Sequence, residues 1–216
     1  MSKHISLATG AAILLTFAGQ ALAQEADTGL TAGSILVRAR GIGVLPETTS
    51  SSISAIGGHV AASDTAVPEL DGSYFFTDNI AVEAIAATTT HRVTARGTAA
   101  GDVDVGTVRL LPPTVTAQWH FLPHEAIDPY VGAGVNYTWF FDTSVPHTVV
   151  KQVSYEDGFG AALQVGVDYH LSGRWYANLD AKQLFLNTTA KINGGAVRAK
   201  VDLDPTIIGA GIGYRF

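Results

Sequence analysis

Cysteine is missing from all 216 residues, so a disulfide framework, a thiolate metal site and a cysteine nucleophile are excluded at the outset. Charge is scarce as well. Only 15% of residues are Asp, Glu, Lys or Arg while 47% are hydrophobic, which is not the composition of a disordered chain. A surplus of base is lacking: 13 Lys and Arg face 19 Asp and Glu, and the net charge of −6 argues against a nucleic-acid partner. Nor does any stretch after residue 23 approach the ~20 uninterrupted apolar residues that a spanning helix needs. Yet the mean hydropathy is positive, high for an exported soluble protein and low for a helical membrane bundle. A closed sheet that is greasy outside and polar inside satisfies both.

The start of the chain reads as an export signal. Lys3, the apolar run from Ile5 to Phe17, and Ala21-Leu22-Ala23 supply a basic start, a short apolar core and a small-residue cleavage site. Cleavage is expected after Ala23, leaving residues 24–216 as the working domain. A membrane anchor is the alternative, weakened by the short run and by Thr9 and Thr16 within it. Residues 24–32 are small and polar and are expected at the periplasmic mouth.

What the chain has in abundance is period-two alternation. In the last eleven residues Ile208, Ala210, Ile212, Tyr214 and Phe216 share one face, and Gly209, Gly211, Gly213 and Arg215 the other, which is strand geometry. Seven earlier segments repeat the pattern, near residues 35–44, 69–76, 80–86, 115–121, 131–141, 159–170 and 175–185. The connections run long, short, long, short, long, short, long. Thr77-Asp78-Asn79, Leu122 to Asp128 and Ser172-Gly173 are the short ones; polar loops near 46–66, 93–106, 142–156 and 191–198 are the long ones. That rhythm predicts an all-β, eight-stranded, antiparallel up-and-down transmembrane barrel with short periplasmic turns and long extracellular loops.

The rings sort accordingly. Outward Tyr74, Phe76, Trp119, Phe121, Tyr169, Trp175, Tyr214 and Phe216 fall near the turn rim, and Tyr137, Trp139, Phe141, Phe159 and Phe185 near the loop rim. Two aromatic girdles are what a membrane barrel needs and a soluble sandwich has no reason to show. Location in the outer membrane of a Gram-negative envelope follows, with its lipids as surroundings. The terminal strand, with Tyr214 and Phe216, is the expected signal for the barrel-assembly machinery.

The inward faces give the lumen. Arg38, Arg40, Asp71, Glu83, Gln118, His120, Asp168, Asp180 and Lys182 point inside, together with Gln164 and His170, and are expected to form a polar plug, since charges in so little water must pair. Eight strands leave room for side chains or one small ligand, not for an open pore. Above the plug Ile42, Val44 and Ile207 face inward, and continuing the phase past Pro205 adds Leu203 and Val201; a bulge at Pro205 would reverse that phase instead. The result is an apolar funnel over a polar floor. Pro112 and Pro113 cannot donate ladder hydrogen bonds, so they mark either a weakened wall or merely a strand start.

Five segments resemble the OmpW family of small outer-membrane barrels, including its AlkL-like members: Phe76-Thr-Asp-Asn-Ile-Ala-Val-Glu83, Leu111-Pro-Pro-Thr-Val-Thr-Ala-Gln-Trp119, Pro129-Tyr-Val-Gly-Ala-Gly-Val-Asn-Tyr137, Gly160-Ala-Ala-Leu-Gln-Val-Gly-Val-Asp-Tyr169 and Gly213-Tyr-Arg-Phe216. The resemblance implies a narrow hydrophobic channel, blocked toward the periplasm, that passes small hydrophobic solutes across or sideways into the membrane. The alternative is a structural, adhesive or receptor-type barrel with a filled lumen and no transport.

Catalytic and metal chemistry find little footing. Ser73 with Glu83, or Ser172 with His170, could be proposed as nucleophile–base pairs, as could an outer-membrane acyltransferase or lipase, but serines are few on the inward face and no enzyme is expected. His120-Phe-Leu-Pro-His124 has metal-ligand spacing for a helix, but Pro123 and the strand pattern remove the helix. Neither a metal nor a cofactor is expected.

Overall fold

The computed structural model describes residues 29–50, 53–54, 56–146 and 150–216; the expected signal peptide and its cut at Ala23 lie outside them. The chain crosses a barrel eight times. β1 (Ile35–Leu45) is the first crossing, and the loop after it contributes β2 (Thr49–Ser50) and β3 (His59–Ala62) before the second, β4 (Thr65–Phe75). β5 (Ile80–Ala86) and β6 (Thr89–Thr98) make the third, β7 (Gly101–Leu111) and β8 (Thr114–His120) the fourth, and β9 (Ile127–Ser144) the fifth. β10 (Val153–Tyr155) precedes the sixth, β11 (Gly158–Ser172). β12 (Trp175–Phe185) and β13 (Asn187–Ile192) form the seventh, and β14 (Val197–Asp202) and β15 (Thr206–Arg215) the eighth.

Around the lower barrel the ladders are antiparallel in the order β1, β4, β5, β8, β9, β11, β12, β15, and β15 pairs back onto β1 from Leu36↔Arg215 to Leu45↔Thr206. The lower barrel is closed, so among the described residues it presents no open sheet edge to hydrocarbon. Leu163 and Val165 face outward and Ala162, Gln164 and Asp168 are buried inside. Exposed rings form both girdles, among them Phe76, Trp119 and Trp175 below and Trp139, Phe159 and Phe185 above. Edge contacts of 4.9–5.0 Å join Tyr74 to Phe76 and Trp175 through Tyr214 to Phe216.

The long connections differ from the loops that their polarity suggested. Much of residues 93–106 is strand, β6 and β7 continuing the wall above the membrane. Small and charged neighbours obscure the alternation there, yet Val93, Ala95, Val105 and Val108 are buried. Interruptions cluster at one level, where β1 ends at Leu45, and gaps separate β5 from β6, β7 from β8, β12 from β13 and β14 from β15. Pro46, Pro112 and Pro205 lie at this level and supply no N–H to the ladder. Above it the wall splits into two sheets, β3-β6-β7-β9 and β2-β14-β13-β10. Their inner faces pack together through Ile53, Val60, Val93, Val108, Val150 and Val153 and close the mouth.

The other end is corked by the N-terminal segment. Leu30 is fully buried with Leu36, Phe75, Ala81 and Tyr176. Its N–H donates to the Pro123 carbonyl at 2.8 Å, and the Arg215 guanidinium donates to the Gly29 carbonyl. The small, polar stretch expected at the periplasmic mouth thus contains Leu30, an apolar side chain that helps to fill it.

A cysteine-free chain makes this register easy to test. Val165→Cys should react with a lipid-soluble maleimide in membranes, whereas Ala162→Cys should stay unreactive until the barrel is unfolded. Equal labelling of the two positions would contradict the register.

Candidate functional site

The lumen holds two stacked parts, a charged floor and an apolar cavity. In the floor, Arg38 donates to Asp71 at 2.8 Å, to Asp168 at 2.9 Å, to Glu83 at 3.0 Å and to the Ser73 hydroxyl at 2.7 Å. Arg40, two residues on and therefore on the same face, reaches Glu69 at 2.8 Å, Asp71 at 2.9 Å and Glu83 at 3.0 Å. Lys182 pairs with Asp180 and approaches Glu69 at 3.7 Å. Room for these side chains comes from the bare inner face of β15: a Cβ on Gly213 would sit 2.8 Å from Arg38 Cγ.

Three cations therefore meet five carboxylates among the described residues, and neutral donors satisfy the surplus. Gln164 donates to Glu83 at 2.8 Å and Asp180 at 2.7 Å, Asn178 to Asp168 at 2.9 Å, and the Tyr130 hydroxyl to Asp180 at 2.9 Å. Gly166 is the space into which Tyr130 fits, since a Cβ there would lie 2.4 Å from the phenol. The Arg38 guanidinium also stands 5.8 Å from the Tyr130 ring centroid. His120 belongs to a lower layer. It pairs with Asp128 at 2.7 Å and stacks on Tyr130, and Gln118 links it to Ser73 and Gln164.

Above the floor lies a cavity of about 70 Å³. Ile42, Val44, Val201, Leu203 and Ile207 all line it, and Glu69 and Lys182 form its base. The phase runs through Pro205 without reversal, so Val201 and Leu203 face in and Asp202 and Asp204 do not line the cavity. Phe140, Tyr155 and Leu184 complete much of the wall. Pro112 lines the cavity, whereas Pro113 faces outward and its carbonyl accepts from the Tyr137 N–H at 3.1 Å.

The hydrogen-bonded ladders lapse on both sides of Ala87. On one side the β5–β8 ladder stops at Ile85↔Thr114 and the β6–β7 ladder resumes only at Thr89↔Leu110, with Pro112 and Pro113 between. On the other side β4 and β5 pair no higher than Leu70↔Ala86, and pairing resumes at Ala62↔Val93 between β3 and β6. His91 bridges the upper end of that second gap: its Nδ1 lies 2.7 Å from the Ser63 carbonyl and its Nε2 3.1 Å from the Thr89 hydroxyl. A carbonyl can only accept, so Nδ1 carries the proton and Nε2 accepts from Thr89.

Residues 31–216 match the model of the OmpW family. The chain belongs to the OmpW family. It is 44% identical over 183 residues to the outer-membrane protein y4mB of Sinorhizobium fredii, covering 83% of this chain and 79% of that one. It is 37% identical over 214 residues to outer membrane protein W of Escherichia coli, covering 95% and 96% of the two chains. A more distant relative, 30% identical over 163 residues with 74% and 76% covered, is the dibenzothiophene metabolism operon protein PahQ of Pseudomonas aeruginosa. Among solved structures, OprG from Pseudomonas aeruginosa superposes with a TM-score of 0.81 at 28% identity, covering 88% of this chain and 98% of OprG. This chain is accordingly an outer-membrane barrel.

Within this OmpW-family lumen the proposed catalytic pairs do not assemble. Arg38 sits between Ser73 and Glu83, taking both, and His170 bonds the Gly173 carbonyl rather than Ser172. His120 is buried while His124 lies outside against Asp78, so the two share no site. Glu69, Asn178 and Tyr130 are floor residues that the sequence reasoning did not single out. The signal for Glu69 was present, because it lies two residues from Asp71 on the same strand face.

Arg38→Met should leave buried Asp168 without a cation and Asp71 and Glu83 with Arg40 alone, and cost about 3–5 kcal/mol. Tyr130→Phe removes one hydrogen bond to a charge and should cost about 1.5–3 kcal/mol. Reversible urea unfolding in lipid measures both; equal midpoints for wild type and Arg38→Met would remove the floor's structural role.

His91 sits above the upper girdle, and burial holds its imidazole below the ordinary value despite the Ser63 hydrogen bond and nearby Asp64. A depressed folded value means that the unfolded chain binds more protons as pH falls below about 6.5. Stability at this bridge is therefore present at neutral pH and lost in acid. Amide exchange at Arg92 and Val93, corrected for intrinsic rate, should be faster near about pH 5 than near about pH 8. His91→Gln should abolish the difference, and its persistence in that variant would assign it elsewhere.

Proposed function

We propose that this barrel takes up small hydrophobic molecules from the cell surface and releases them sideways into the outer membrane. The enclosed apolar cavity resting on an ionic floor carries this reading. A hydrocarbon gains about 0.8 kcal/mol per CH₂ on leaving water, and driving it through buried charges would forfeit that gain. Below the charges the Leu30 cork adds a second barrier toward the periplasm. The sideways route passes Ala87, where hydrogen-bonded ladders lapse on both sides and only outward residues such as Pro113 separate cavity from lipid. The name of the PahQ relative, a protein of a dibenzothiophene metabolism operon, is in keeping with an apolar solute.

The cavity of about 70 Å³ is smaller than the ~150 Å³ that accommodates benzene. Entry therefore requires the two extracellular sheets to part. That same close packing favours the rival reading, a structural barrel whose outer sheets are the working part and whose lumen stays shut. Uptake distinguishes them. Cells carrying the protein should accumulate an apolar fluorescent probe faster than cells lacking it. Replacing Pro112 and Pro113 together by Val and Thr should slow uptake severalfold while the barrel still folds, and Ala87→Trp should block it. Equal uptake with and without the protein would leave the structural reading; unchanged uptake in the wall variants, with an increase on opening the floor through Asp180→Ala, would replace the sideways route by a straight one.

A further inference from the structure

On the outer face of the β13–β14 hairpin, like charges stand directly opposite each other. Lys191 pairs in register with Arg198, and one step down the ladder on the same face Lys200 faces Thr189. Like charges across an antiparallel pair repel, and an isolated hairpin gains nothing from such a placement. Glu156 answers only part of it: its carboxylate lies 2.6 Å from Lys191 Nζ, while among the described residues neither Arg198 nor Lys200 forms an ion pair. Arg198 and Lys200 are exposed, Asn187 and Thr189 give the same face neutral hydrogen-bonding groups, and Asp202, opposite Asn187, bounds it on the membrane side. The face thus carries three bases against Glu156 and Asp202, an excess of base in a chain whose net charge is −6.

Height above the membrane identifies what such a face meets. Phe185, at the top of β12, is a ring of the upper girdle, and Thr189 follows it by four residues on the same crossing. Four residues of strand span about 13 Å, or about 10 Å of height at the tilt of an outer-membrane barrel. The long Lys200 and Arg198 side chains therefore hang in the layer just above the acyl chains, where the anionic sugars of an outer-leaflet glycolipid lie. Guanidinium and ammonium groups are the side chains suited to phosphate there, the first as a bidentate fork and the second as a point charge.

We infer that Lys191, Arg198 and Lys200 form a docking face for the phosphorylated headgroup of outer-leaflet lipopolysaccharide. The bound headgroup neutralises the opposed Lys191–Arg198 pair and stiffens the β2-β14-β13-β10 sheet from outside, on the side away from the apolar core that closes the mouth. This surface is separate from the lumen and does not depend on whether solutes pass through it.

The test uses the full-length protein in detergent with purified deep-rough lipopolysaccharide as the probe. Binding should weaken at least tenfold when Lys191, Arg198 and Lys200 are all changed to Gln, and it should weaken with added salt in the wild type. Enzymatically dephosphorylated lipopolysaccharide should bind wild type no better than the intact form binds the variant. Vesicles of phosphatidylglycerol supply the same charge without the sugar and should compete poorly. Unchanged affinity in the triple variant, indifference to phosphate removal, or equal competition by phosphatidylglycerol would each overturn the inference. Lys200→Gln alone, whose cross-strand partner is neutral, should fold with a normal heat-modifiable gel shift and still bind severalfold more weakly; wild-type binding by that variant counts against the docking face.

Discussion

In hydrocarbon no water is available to a backbone N–H or C=O, and every other feature of this protein follows from meeting that demand within the chain. Eight antiparallel crossings meet it only by closing, which β15 does against β1. Closure at eight dictates a narrow lumen, and a narrow lumen dictates that whatever lies inside must pack or pair. Arg38 and Arg40 on the first crossing reach carboxylates on the second, third, sixth and seventh, so the floor ties together walls that are not neighbours. A ladder fixes adjacent strands; the ionic cluster fixes the cross-section.

Where the demand is relaxed, the structure changes character. At the upper girdle, where the bilayer gives way to water, the chain can afford gaps, because water or the partner sheet serves backbone groups there. The interruptions sit at this level, with three prolines lining the cavity beside them. A continuous cylinder gives way to two sheets pressed face to face, and the cavity lies at the transition between them. The same feature that weakens the wall also creates the apolar space behind it.

The two ends are both sealed by apolar side chains, but the lower seal lies beneath the ionic floor and the upper one does not. Below the floor, Leu30 fills the periplasmic mouth from a segment held by Arg215 and Pro123. Above the cavity, valines and isoleucines from both extracellular sheets pack together, and among the described residues no strand ladder joins the two faces. Hydrophobic packing of this kind is non-directional and can open and re-form, unlike the multiply hydrogen-bonded floor.

The strand count, the inward and outward faces and the two girdles were legible in the sequence, because period-two alternation and ring placement are local consequences of lipid outside and charge inside. Arg38, Asp71, Glu83 and Asp168 could be assigned to one lumen from their strand phase alone, and Glu69 could have been. Which carboxylate meets which cation could not, because the pairs join residues as far apart as Arg38 and Asp168 through a closure that no local pattern encodes. Nor could the extracellular sheets be read, since Val93, Ala95, Val105 and Val108 are embedded among threonine, glycine and charge and become a core only when the opposite sheet covers them. Alternation decided which way each side chain points; only the closed barrel and its paired outer sheets decided what each one touches.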